Sequence, residues 1–188
     1  MIKHIHHKLL KKCKRGNSKA QFEICELYYK GMYNVSFRML QNSAEAEDVM
    51  QDAFLSAFNK LDTWQEEVTF GAWLKRIVVN KSLDYIKKRK MQFVEVDDRL
   101  QIRDELYNDD NEEINTFKVE LVKEAINKLP EKYRLITIMF LIEGYTHNEI
   151  ADFLDIKSET SRVRFLRAKK MILKSGTLKD KLQSISLN

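Results

Sequence analysis

A chain of 188 residues, 44% of them hydrophobic, is long enough for one large domain or two small ones with real cores. Lys and Arg number 33 against 28 Asp and Glu, and a net charge of +5 suits a polyanionic partner. Two cysteines exclude a disulfide framework, and no apolar run approaches the ~20 residues that cross a bilayer, so a cytoplasmic protein with no membrane insertion is expected.

One Pro and five Gly in the whole chain point to long helices with few tight turns, and no segment keeps a strand period. The expected fold is all-α: two small helical domains joined by an acidic linker. Residues 1–17, "MIKHIHHKLLKKCKRGN", read as a basic N-terminal tail with neither the apolar run nor the cleavage site of a signal peptide. His4, His6, His7 and Cys13 in it are metal-ligating types, but they lack the helical or loop spacing of a site, and no metal or cofactor is expected.

Residues 18–90 make the first domain, with helices near 18–33, 36–41, 44–61 and 69–90. Ser43 is the expected N-cap of the third, ahead of Glu45, Glu47 and Asp48, whose charges favour a helix start. Ala46, Met50, Ala53, Phe54, Ala57 and Leu61 give that helix a buried stripe. Its other side gathers Glu45, Asp48, Gln51, Asp52 and Asn59 around Leu55. An apolar side chain ringed by acids and amides suits docking to a basic protein, and such a face repels phosphate.

The fourth helix reads "FGAWLKRIVVNKSLDYIKKRK". Phe70, Leu74, Ile77, Val78 and Tyr85 share a core face, while Trp73, Arg76, Asn80, Asp84 and Lys87 line a second strip. A ring can stack on an unpaired base, an amide can read a base edge and cations can follow phosphates. Asp84 is expected to pair with Lys88 or Lys81. Residues 91–115 then hold nine acids and two arginines, a net −7 that leaves +12 on the rest of the chain, and read as a self-repelling tether.

Residues 116–175 make the second domain, followed by a C-terminal tail at 176–188. Phe117, Leu121, Val122, Ala125 and Ile126 keep helical spacing to Leu129, and Pro130 is placed at the first position of the next helix. Gly144 is the expected helix stop, and Thr146 with Glu149 forms a capping box. "THNEIADFL", "DIK" and "SETSRVRFLRAKKMIL" have the spacing of a helix-turn-helix. Ser161, Phe165, Ala168 and Ile172 face Ile150, Ala151 and Leu154, which turns Glu159, Arg162, Val163, Leu166 and Lys170 outward with Arg167 at the edge. Arginine forks grip guanine in the major groove, and an exposed Val or Leu meets a thymine methyl. His147, in a helix first turn, is read as surface.

"AEDVMQDAFLSAFNKLDTW", "FGAWLKRIVVNKSLDYIKKRK" and "LPEKYRLITIMFLIEGYTHNEIADFLDIKSETSRVRFLRAKKMI", in this order, resemble the two DNA-binding regions of bacterial sigma factors of the extracytoplasmic-function (ECF) group, over residues 18–173. The resemblance implies a promoter-specificity subunit of RNA polymerase that is not itself an enzyme. It implies that Asp48, Gln51, Asp52 and Leu55 grip the clamp coiled coil of the polymerase core's largest subunit. Loop 62–70 with Trp73, Arg76, Asn80, Lys81 and Lys87 would capture unpaired bases of the −10 element. Arg162, Val163, Leu166, Arg167 and Lys170 would face the −35 element, and an anti-sigma factor would be a further partner. The family's Gly-Thr pair early in the recognition helix is Glu159-Thr160 here, so no relative's promoter sequence transfers. The rival readings are a polymerase-independent regulator with an N-terminal sensor or dimerisation domain, and a metal enzyme using the tail histidines.

Overall fold

The computed structural model describes residues 6–92 and 116–174, with side chains described up to residue 89 and again from residue 121. Among them there are eight α-helices and no strand, in two compact units divided at Glu95 and Val96. His4, the linker beyond residue 92 and the C-terminal tail lie outside the described residues.

In the first unit α1 (His7–Lys14) packs on α2 (Ser18–Leu40), and α2, α3 (Ser43–Asn59) and α4 (Phe70–Gln92) pack on one another. Residues 7–14 of the basic tail are therefore a helix, with Leu10 and Cys13 buried. The expected break near 34–35 is absent, and α2 runs unbroken through Gly31. A glycine inside a helix costs about 1 kcal/mol, which burial of Met32, Val35, Met39 and Leu40 readily offsets. The N-cap of α3 is Asn42 rather than Ser43: its side-chain oxygen accepts from the Glu45 amide at 3.2 Å. Arg89, near the end of α4, donates to Glu45 at 3.1 Å, so one cation of the terminal cluster ties α4 to the start of α3. Inside the unit the hydroxyls of Ser36 and Ser82, both fully buried, lie 3.1 Å apart, and Ser82 also reaches the Val78 carbonyl at 2.8 Å. Neither polar group is left unpaired in the core.

In the second unit α5 (Thr116–Asn127), α6 (Glu131–Thr137) and α7 (His147–Leu154) surround α8 (Ser158–Lys174). Pro130 is the cap residue of α6, one position before the expected place. The end of α6 widens into a π-helical turn, Ile138–Ile142, and Gly144 closes it with φ +77°, a conformation that favours glycine. The capping box of α7 forms as expected. The Glu149 carboxylate accepts from the Thr146 amide at 2.8 Å, and Thr146 Oγ1 accepts from the Glu149 amide at 3.3 Å. Asp155, with φ 52°, makes the turn into α8.

Candidate nucleic-acid and protein interfaces

On α8 the core stripe is Ser161, Ala168 and Ile172, all buried, and Phe165, half-buried. That fixes the opposite side outward. Arg162 is exposed, Val163 and Leu166 stand 46% and 48% exposed, and Arg167 and Lys170 are partly covered. Two apolar side chains among cations on a solvent face suit thymine methyls beside phosphates. Glu159 lies 3.9 Å from Arg162, and both are well exposed, so this pair is loose and yields easily to a base edge.

His147 corrects the surface reading. Its ring stacks on Phe140 at 4.4 Å and 10°, contacts Phe165 at 5.7 Å, and its Nδ1 lies 2.9 Å from Ser161 Oγ. Burial first, and the Arg162 charge second, push its pKa below the ordinary value. Phe140 reaches it from the π-helical turn, a partner that helical periodicity does not foretell.

The first unit carries two faces. On α3 Asp48, Gln51 and Asp52 are exposed around Leu55, which is 63% exposed, while Ala46, Met50, Ala53, Phe54 and Ala57 are buried beneath. On α4 Arg76, Asn80, Asp84 and Lys87 are exposed and Trp73 is half-buried. Lys81 lies beside this strip: with Asp84 of the strip, Tyr85 and Lys88 it lines a groove of about 370 Å³ against Asp48, Gln51 and Asp52. The expected ion pairs of Asp84 with Lys81 or Lys88 do not form, and all three side chains line that groove instead.

The segment between α3 and α4 begins with a 3₁₀ turn, Leu61–Thr63. Trp64, which sequence reasoning passed over, is 3% exposed and donates its Nε1–H to the Val68 carbonyl at 3.0 Å. It holds the loop rather than stacking on a base. Phe70 meets Trp64, Trp73 and Tyr28 at centroid separations of 5.6, 5.8 and 5.2 Å. Among the described residues, the tail's His6, His7 and Cys13 form no metal-holding group. His6 meets Tyr28, His7 meets Glu66, and Cys13 is buried, with its thiol pKa raised first by burial and then by Cys25.

Two family models match the chain in order, Sigma-70 region 2 over residues 24–91 and Sigma-70 region 4 over residues 120–172. The ECF RNA polymerase sigma factor SigW of Bacillus subtilis is 28% identical over 176 residues, covering 89% of this chain and 94% of that protein. The ECF RNA polymerase sigma-E factor of Escherichia coli K12 is 26% identical over 173 residues, covering 87% and 90%. Among solved structures, the sigma factor RpoE of Bartonella quintana, in complex with the anti-sigma factor NepR, aligns with a TM-score of 0.54 at 20% identity, over 84% of this chain and 95% of that one.

Proposed function

We infer, from the premise that this chain belongs to the sigma-70 family and is an RNA polymerase sigma factor of the ECF type, how its faces divide the work of initiation. The α3 face of Asp48, Gln51, Asp52 and Leu55 docks on the clamp coiled coil of the polymerase core's largest subunit. Leu55 supplies the apolar anchor and the acids select basic neighbours. The α4 strip of Trp73, Arg76, Asn80 and Lys87, with Lys81 and the 62–70 loop, holds unpaired bases of the −10 element. Strand separation costs a few kcal/mol, which capture of extruded bases offsets. Arg162, Val163, Leu166, Arg167 and Lys170 read the −35 element as duplex in the major groove. The chain performs no chemistry of its own, needs no cofactor and works in the cytoplasm. Since the solved relative was captured with an anti-sigma factor, an inhibitor of that kind is the natural regulator here too.

The observation that carries this reading is the pair of unlike faces on one small unit. An acidic, leucine-centred surface on α3 neighbours a cationic, amide-bearing strip on α4. A regulator that touches only DNA has no use for the first. Run-off transcription with purified core polymerase, with and without the chain, on a pool of genomic promoters is the test. Promoter-specific transcripts that need the chain are expected. A chain that ignores core yet finds its sites alone would leave the polymerase-independent regulator instead.

A further inference from the structure

Helix α1 lies ahead of the matched region 2 span, which begins at residue 24, yet its first residues reach the loop between α3 and α4. His7 Nδ1 is 3.5 Å from the Glu66 carboxylate, a polar contact between side chains 41% and 36% exposed that becomes an ion pair when the imidazole is protonated. Glu66 has φ 62°, a left-handed conformation that a residue with a Cβ holds only when its surroundings enforce it. The loop is closed from within by the Trp64 bond to Val68.

A second contact runs parallel to the first. His6 sets its ring edge against Tyr28 at 6.0 Å, and Tyr28 sets its own against Phe70 at 5.2 Å. Phe70 in turn packs on Trp64 inside the loop and on Trp73 of the strip. Tyr28 fits because residue 71 is glycine: a Cβ there would lie 3.0 Å from the tyrosine ring. Leu10 and Cys13 already anchor α1 to α2 by burial. The two histidines at its start are not needed for that anchoring, and their partners lie toward the loop.

We propose that α1 is a positioning element for base capture: His6 and His7 hold the Glu66 turn and the Tyr28–Phe70 pair so that the loop and Trp73 present one fixed surface to the unpaired −10 strand. The proposal rests on the reading of that loop and strip given above. It assigns a role to the histidines of the N-terminal segment that neither catalysis nor metal binding explains. His6 and His7 act through Glu66 and Tyr28, and touch no base themselves.

The test uses the full chain with core polymerase and a single-stranded −10 oligonucleotide, comparing wild type with the double variant His6→Ala and His7→Ala. The first unit is expected to stay folded, with a slightly lower melting temperature, and core binding to stay unchanged, because Leu10 and Cys13 remain. Amide hydrogen exchange at residues 65–69 is expected to quicken in the free protein. Capture of the oligonucleotide should weaken by about fivefold, the scale of losing one exposed polar contact and one ring-edge contact. Reversing the pair, with His7→Glu and Glu66→Lys together in a chain that keeps His6, should restore both readouts, which mere packing would not. Unchanged exchange at 65–69 overturns the brace. Faster exchange with normal capture overturns its part in capture if Asn80→Ala still loses the oligonucleotide. If Asn80→Ala also captures normally, the site reading fails, and the proposal with it.

Discussion

The two units bring their proposed binding faces to the surface by different routes. In the second unit the proposed face is the solvent side of one helix, and the signals that mark out that helix and its buried stripe are short-range in sequence: Gly144, the Thr146–Glu149 box, the Asp155 turn and Ser161, Ala168 and Ile172. In the first unit the surface proposed to capture unpaired bases rests on a support assembled from distant pieces. Residues 6, 7, 28, 64, 66, 70 and 73 come from α1, α2, a loop and α4 and meet only after the bundle closes. Duplex DNA offers a regular groove, for which one straight helix suffices. Unpaired bases offer no fixed shape, so the protein must supply the rigidity, and that takes tertiary structure.

The largest expected effect separates the two. Leu74 is fully buried on α4, and Leu74→Ala should cost the first unit about 2–5 kcal/mol. Two-transition melting followed by circular dichroism should show the second unit's transition unmoved; a joint shift would mean that the units do not fold independently. Next comes Leu55→Arg on α3. At 63% exposure it should leave the fold intact, yet lower affinity for core polymerase by about 2 kcal/mol or more, as loss of an interface anchor does. Pull-down titration with core measures it, and unaltered affinity would remove α3 as the docking face.

The contrast explains what could be read from residues alone. The helix-turn-helix was legible to its caps, because periodicity, a capping box and a glycine stop are all local signals. The α3 faces were legible for the same reason. The unbroken α2 was not: a break was expected near 34–35, and burial of Val35, Ser36 and Met39, contacts that only the folded bundle supplies, carries the helix through it. Nor was α1, whose many lysines hide the two buried positions Leu10 and Cys13 that dock it. Trp64 and His147 were misjudged or passed over because their partners, Val68 and Phe140, sit on irregular turns that no period describes.

A smaller effect sharpens the comparison within the second unit. Arg162→Ala should weaken binding to −35 duplex by about 1–3 kcal/mol and relax specificity at one base pair. Arg167→Ala, at the partly covered edge, should cost less. Fluorescence anisotropy on a set of single-base variants of the site distinguishes them. Uniform loss across all sequences with a shallower salt dependence would reassign Arg162 to phosphate.

The smallest expected effect follows from His147. Its pKa in the fold is below the ordinary value near 6.5, because burial against Phe140 and the Arg162 charge both disfavour the imidazolium. As pH falls through that ordinary value, the unfolded chain takes up a proton before the folded one does, so acid favours unfolding. The contribution is therefore whole above about pH 6.5 and is lost progressively below it. His147→Phe with Ser161→Ala keeps an aromatic stack on Phe140 without leaving a buried hydroxyl unpaired, and removes the titration. The second unit's melting temperature, followed from about pH 7 to about pH 5, should then fall less steeply in the double variant than in wild type. Equal slopes would mean that the imidazole reaches water freely in the fold, and that the stack on Phe140 orders the ring without desolvating it.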